Sequence, residues 1–433
     1  MLQKQKDRQI SKKGSIFVAV WATVTAISFA TTGYLLASTT QHAQTTYAAS
    51  IAAQIDASAR NTQPDSQTTS PNLTRNIPPP ADVSIGIYLQ SIPEVSLQNS
   101  RWTADFDIWF NWTGDGINPI DNFQVVGGTI ALKDKKADVT RAIGGKKKHY
   151  ALYHVQAQIQ RSFNIAAYPF GGDVMFITIE MPDQLSDRLR WVPDTRSSGY
   201  KPQAVIPDGF NIKLAAAMAY PFTYQTSFGD PRLPQDSKPT YSRFSFLVWV
   251  NRTDFGIYLK LVLTTLACVA VALIAFFIKP TDVDPRFGLG VGAFFAAASS
   301  TAVVASTLPI TGTIAFVSIV NAIGLLTIFL TLVQSTISLY MFDRKGEETL
   351  SAWFDKVSFV VFFIGYTSIN IAIPLLAVQS LDLQIPESIK KNRVSLVEKA
   401  KASELGNRDR FSQKSLQDFQ AYYLLQENSN REV

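Results

Sequence analysis

Residues 287–306 read FGLGVGAFFAAASSTAVVAS, a run long and apolar enough to cross a bilayer yet built largely from Gly, Ala, Ser and Thr. Such a helix makes a poor lipid-facing surface, because small side chains serve the close approach of backbones. Steps of three and four place Gly288, Gly292, Phe295, Ser299, Ala302 and Ser306 on one stripe, small and partly polar, with Asp284 just below it. Two readings of that stripe stay open: close helix packing, or the wall of a pore. The helix is bracketed by Asp284-Pro285-Arg286 and by Leu308-Pro309. An acidic ring at a pore mouth attracts cations and a basic one favours anions. Asp284 and Arg286 are too close in sequence to say which faces a lumen, so the lean is to cations.

Working outward, four further blocks approach or exceed membrane-spanning length: 15–37, 257–278, 313–342 and 357–378. At 46% hydrophobic and 17% charged the chain is lean in charge for a soluble protein, and the apolar residues concentrate in these blocks. Basic residues cluster beside the spans: Lys4, Lys6, Arg8, Lys12 and Lys13 before the first, Lys279 and Arg286 around the second turn, and Arg344, Lys345 and Lys356 in the next loop. All fall on one side of the membrane if the N-terminus is cytoplasmic, although Lys390, Lys391 and Arg393 in the tail weaken the rule. This predicts a multi-pass protein of the cell (inner) membrane with its polar domain periplasmic or extracellular. It also argues against nucleic-acid binding, which needs basic residues in a groove interleaved with aromatics. The first block reads as an uncleaved anchor, since a signal peptide has a shorter apolar core of about 7–15 residues.

Residues 39–81 are rich in Ala, Gln, Thr, Ser and Pro and read as a linker. From Val83 the period becomes two. Val83, Ile85, Ile87 and Leu89 alternate with polar or small neighbours, and Trp102, Ala104, Phe106, Ile108, Phe110 and Trp112 do so again. Further strands are expected at 124–132, 149–160, 173–181, 188–192, 210–219 and 241–251, parted by turn clusters. The expected fold is a multi-domain membrane protein: cytoplasmic N-terminus and anchor over 1–38, linker over 39–81, a periplasmic antiparallel β-sandwich over 82–252, a four-helix transmembrane bundle over 253–378 and a tail over 379–433. The last strand runs through Arg252 almost directly into the span at Ile257, which makes sandwich and helices one mechanical unit. Cys268 lies inside a span, and His149 and His154 fall on opposite strand faces, so neither a disulfide framework nor a metal site is expected. Gly144-Gly145 followed by three lysines reads as a solvated hairpin tip, and Asn321 and Gln334 as interhelical hydrogen bonders. No nucleophile stands beside a base, no cofactor motif occurs, and no enzyme is expected.

This order of parts resembles the prokaryotic branch of the pentameric ligand-gated (Cys-loop type) channels over about 82–378. Arg286 through Leu308-Pro309 resembles that family's pore helix, Tyr168-Pro169-Phe170 its signature loop, and Arg252 the arginine before its first channel helix. Ile206-Pro207-Asp208-Gly209, Phe228-Gly229-Asp230 and Tyr241-Ser242-Arg243 also look like bacterial members. Gly171 stands where the family places an aspartate, Arg161 and Met175 where the eponymous cysteines would sit, and the proline of the first channel helix is missing. The resemblance implies a homopentamer in membrane lipids, opened by an unknown small-molecule ligand or proton, and passing permeant ions. Tyr168, Pro169, Phe170, Arg252, Leu308 and Pro309 would couple the two domains. An agonist site between neighbouring sandwiches could use Trp109, Trp191, Tyr220, Tyr224 and Phe228 as an aromatic box suited to a cation, with core packing the competing reading for Trp109 and Trp191. The alternative function is a non-conducting receptor or scaffold of the same fold.

Overall fold

A computed structural model describes residues 12–60, 79–119, 122–231, 237–310, 313–343 and 347–379. The chain opens with one helix, α1 (Lys12–Arg60). A β-rich domain follows: β1 (Ala81–Ser96), β2 (Arg101–Thr113), β3 (Gln124–Val125), β4 (Gly128–Ile143), β5 (Lys146–Gln160), β6 (Gly171–Glu180), β7 (Leu189–Pro193), β8 (Gly199–Val205), β9 (Phe210–Thr223) and β10 (Thr240–Arg252). Four helices complete it: α2 (Phe255–Ile274), α3 (Val283–Ser306), α4 (Phe316–Asp343) and α5 (Glu348–Gln379).

The strands form two sheets. One runs β4-β5-β2-β1-β7 with β8 also on β1, and the other β3-β6-β10-β9. Most pairings are antiparallel, as expected, and β1 adds parallel pairings with β7 and then with β8 along the same edge. Alternation sets the core. Val83, Ile85, Ile87 and Leu89 of β1 and Trp102, Phe106, Ile108 and Phe110 of β2 are fully buried against Ile177, Ile179, Phe244, Phe246 and Val248 of the other sheet, each such side chain contributing about 1.5–3 kcal/mol of burial.

Three departures from the expected boundaries have physical causes. Alternation fails in β10, where Ser242 to Arg252 are buried throughout, because one face meets the core while Leu247 and Trp249 on the other pack against Ile51 of α1. That same contact makes 39–60 part of a helix, where composition reads as linker. The strand expected to end at 132 runs to Ile143, since β4 and β5 form a long solvated hairpin whose tip, Gly144-Gly145, takes the expected turn with positive φ. Linker residues 61–78, the tail from 380 onward and the basic residues Lys4, Lys6, Arg8, Arg344 and Lys345 lie outside the described residues.

Among the described residues five helices are long and apolar enough to cross a membrane: Gly14–Ile51, Phe255–Phe277, Val283–Ser306, Phe316–Asp343 and Glu348–Ala372. By length and composition they suggest a membrane protein. α5 begins at Glu348, ahead of the expected 357. α1 packs along α5, with Val18 buried against Leu350 and Phe354 and Phe29 edge-on to Phe362 at 5.9 Å.

Candidate functional site

The helix α3 is two-faced. Arg286, Gly290, Ala293, Ala297 and Val304 are buried against the chain's own bundle, and Gly290 permits the contact, since a Cβ there would stand 2.4 Å from the Leu332 side chain. The opposite stripe holds Asp284, Gly288, Gly292, Phe295, Ser299, Ala302 and Ser306, and all seven are exposed in the single chain. Phe295 is 67% exposed, a large ring presented by a helix whose neighbours on that face are small.

The pair Asp284 and Arg286, indistinguishable in sequence, separates in space. Arg286 turns inward and is sealed in the bundle. Its Nη1 donates to Asp355 Oδ2 at 3.0 Å and to the Ile278 carbonyl at 3.0 Å, and its Nη2 to Asp355 Oδ1 at 2.8 Å. Gln334 Nε2 donates to the same Asp355 Oδ1 at 2.8 Å. A buried guanidinium is tolerated only with such paired, bidentate contacts. Asp284 stays exposed on the stripe. Asn321 and Gln334 both bond to neighbouring helices, Asn321 through Nδ2 to the Leu261 carbonyl at 3.4 Å.

Where the β-rich domain meets the helices, the six residues named for coupling behave differently. Phe170 is fully buried and packs on Phe255 and Tyr258 of α2 and Phe316 of α4, with ring centroids 5.3, 5.5 and 6.3 Å apart. The Tyr168-Pro169 bond is cis, and the Tyr168 and Ala166 carbonyls accept from Val317 N at 3.1 Å and Phe316 N at 3.0 Å. Arg252 is buried with its guanidinium 5.6 Å from both the Tyr168 and Phe210 rings, and its Nη2 donates to the Asn164 carbonyl at 2.8 Å. Gly171 has φ +125, a glycine conformation, and a Cβ there would stand 3.6 Å from Arg252 Nη2. A carboxylate side chain at that position would therefore reach Arg252, whose Nε and Nη1 have no hydrogen-bond partner among the described residues. Leu308 is buried in the helical bundle and Pro309 is half-buried.

The five aromatic candidates do not form one box in the single chain. Trp191 is 2% exposed and 5.7 Å from Phe110, its position on β7 facing the interior, as the core-packing reading has it. Trp109 is half-buried on the outer face of β2 and donates from Nε1 to Asp194 Oδ2 at 3.3 Å. Tyr220 pairs its hydroxyl with Ser245 Oγ at 3.2 Å. Tyr224 touches the rings of Phe222, Phe228 and Tyr241, and the cation already held there is Arg243, 3.4 Å from the Phe222 ring centre and bonded to Glu180 at 2.6 Å. Burial pushes the Tyr224 hydroxyl above its ordinary range. Phe228 is 68% exposed with φ +55.

Sequence reasoning missed two groups. Asp355 lies just outside the expected fifth span, though Ser351, Asp355 and Ser358 recur at helical spacing and signal a polar stripe. Tyr47, hydrogen-bonded to Asp173 and Arg161, fell in the supposed linker and carried no signal.

No protein-family model matches the chain, and a search of curated proteins finds no significant match.

Proposed function

We propose that this chain is the subunit of a homopentameric ligand-gated ion channel of the cell membrane, its β-rich domain an extracellular or periplasmic sandwich and α3 the lining of a weakly cation-favouring pore. The observation that carries the reading is the seven-residue stripe of α3, every member exposed while the opposite face fills the bundle. A surface of Gly, Ser, Ala and a lone Phe has little to gain from lipid tails. Five copies turned toward a shared axis would give it a water-filled lumen, with Asp284 at the cytoplasmic mouth and Phe295 as an apolar constriction that gates by dewetting. The inward turn of Arg286 supports cations over anions, since it takes the basic residue nearest Asp284 in sequence away from that mouth. A small-molecule ligand or a proton acting between neighbouring sandwiches would rotate them, and the contacts of Phe170 with α2 and α4 offer the path to the pore.

Planar-bilayer recording of the purified full chain tests this. Phe295→Ala is expected to raise current in the absence of ligand, and Asp284→Asn to lower the cation-to-anion permeability ratio, read as a shift of reversal potential in a salt gradient. Silence from the wild type under ligand and proton steps and from Phe295→Ala would leave the non-conducting receptor as the better account.

A further inference from the structure

The first helix does not end with the bundle. Past Leu36 it continues along the β-rich domain, where Ile51 is buried with Val174, Leu214, Ala216, Leu247 and Trp249, and the Tyr47 ring packs on the same cluster. The Tyr47 hydroxyl donates to Asp173 Oδ1 and accepts from Arg161 Nη2 at 2.9 Å. Asp173 is almost wholly enclosed, 1% exposed, so its carboxylate needs every acceptor position filled. Val174 N donates to Oδ1 at 2.9 Å and Asn164 N to Oδ2 at 3.0 Å. From Asn164 the chain of bonds divides. Its carbonyl accepts from Arg252 at 2.8 Å, next to the start of α2, and its Oδ1 accepts from Ala166 N at 3.1 Å, whose carbonyl in turn holds Phe316 N at the start of α4.

We propose that Tyr47 is a positioning residue for the loop 161–170, and that α1 is a regulatory strut whose seating sets how the β-rich domain bears on α2 and α4. Without the hydroxyl, Asp173 loses a donor, Arg161 loses an acceptor, and the Asp173–Asn164 contact that aims the loop is no longer held from the helix side. The regulatory meaning rests on the channel reading above. The positioning claim concerns hydrogen bonds alone and is measured without current, so a silent channel and a failed strut give different results.

The experiment is amide hydrogen exchange on the assembled full chain in lipid nanodiscs, wild type against Tyr47→Phe, which removes one oxygen and keeps the ring in its seat. Exchange at Asn164, Ala166, Phe316 and Val317 is expected to accelerate roughly fivefold to tenfold, the scale of one lost hydrogen bond, with the amides of β2 and β5 unchanged. Arg161→Gln removes the other partner of the hydroxyl without touching the helix, is expected to accelerate the same four, and carries the test if the Phe variant does not assemble. Unchanged exchange at those amides, or equal acceleration across the whole chain, overturns the proposal.

Discussion

A guanidinium shut inside apolar helices persists only with its counter-charge in place, and at Arg286 that condition ties α3 to α5 through Asp355. Removing one partner of a buried pair leaves the other uncompensated and costs about 3–5 kcal/mol. Asp355→Asn is therefore expected to lower the thermal unfolding midpoint of the solubilised protein clearly, while Arg286→Met combined with Asp355→Leu recovers most of the loss, because apolar replacements of both charges remove the desolvation cost as well. An unchanged midpoint in the single variant would show that water, rather than the pair, satisfies Arg286. The pair also fixes the rotation of α3 about its axis. With Arg286 inward, the residues at Asp284, Gly288, Gly292 and Phe295 have no choice but to face away from the bundle.

Among the elements, α1 is the one the sequence signals least over its full length, and it packs on both the helical bundle and the β-rich domain. Gly365 of α5 makes room for it, since a Cβ there would stand 2.6 Å from the Phe29 ring. Gly365→Leu is expected to force the helices apart and destabilise the protein by about 1–3 kcal/mol, seen as a fall in the same thermal midpoint; an unaltered midpoint would mean that α1 sits elsewhere. What was legible follows from period. Strands β1 and β2 announced themselves because one face meets a core and the other water, and the helices α2 and α4 because their runs are long and predominantly apolar. The extension of α1 through Arg60 was not legible, because Thr39 to Arg60 is mostly small and polar and is held by Tyr47 and Ile51. For the same reason β10 lacked alternation: its second face is covered by an element distant in sequence. Of the site, the stripe on α3 could be read from spacing, whereas the inward turn of Arg286 depends on Asp355, a partner 69 residues away. Both readings of Trp191 stayed open in the sequence, because a tryptophan on a short strand looks the same whether it faces the core or a ligand.

At the scale of the whole molecule, one chain leaves two kinds of apolar surface uncovered. Bulky residues such as Leu259, Leu263, Phe329 and Phe363 suit lipid tails, while the stripe of α3 does not. The proposed pentamer would satisfy both, with α3 inside the assembly, α1 and α5 toward its rim, and closed cyclic symmetry repeating the same heterologous contact. The most direct test is a single-particle image of the full chain in lipid nanodiscs. Five copies around one axis, with 287–306 innermost and Phe295 side chains converging on it, is the result expected; a monomer, or an assembly in which these segments face the surrounding lipid, would contradict the account.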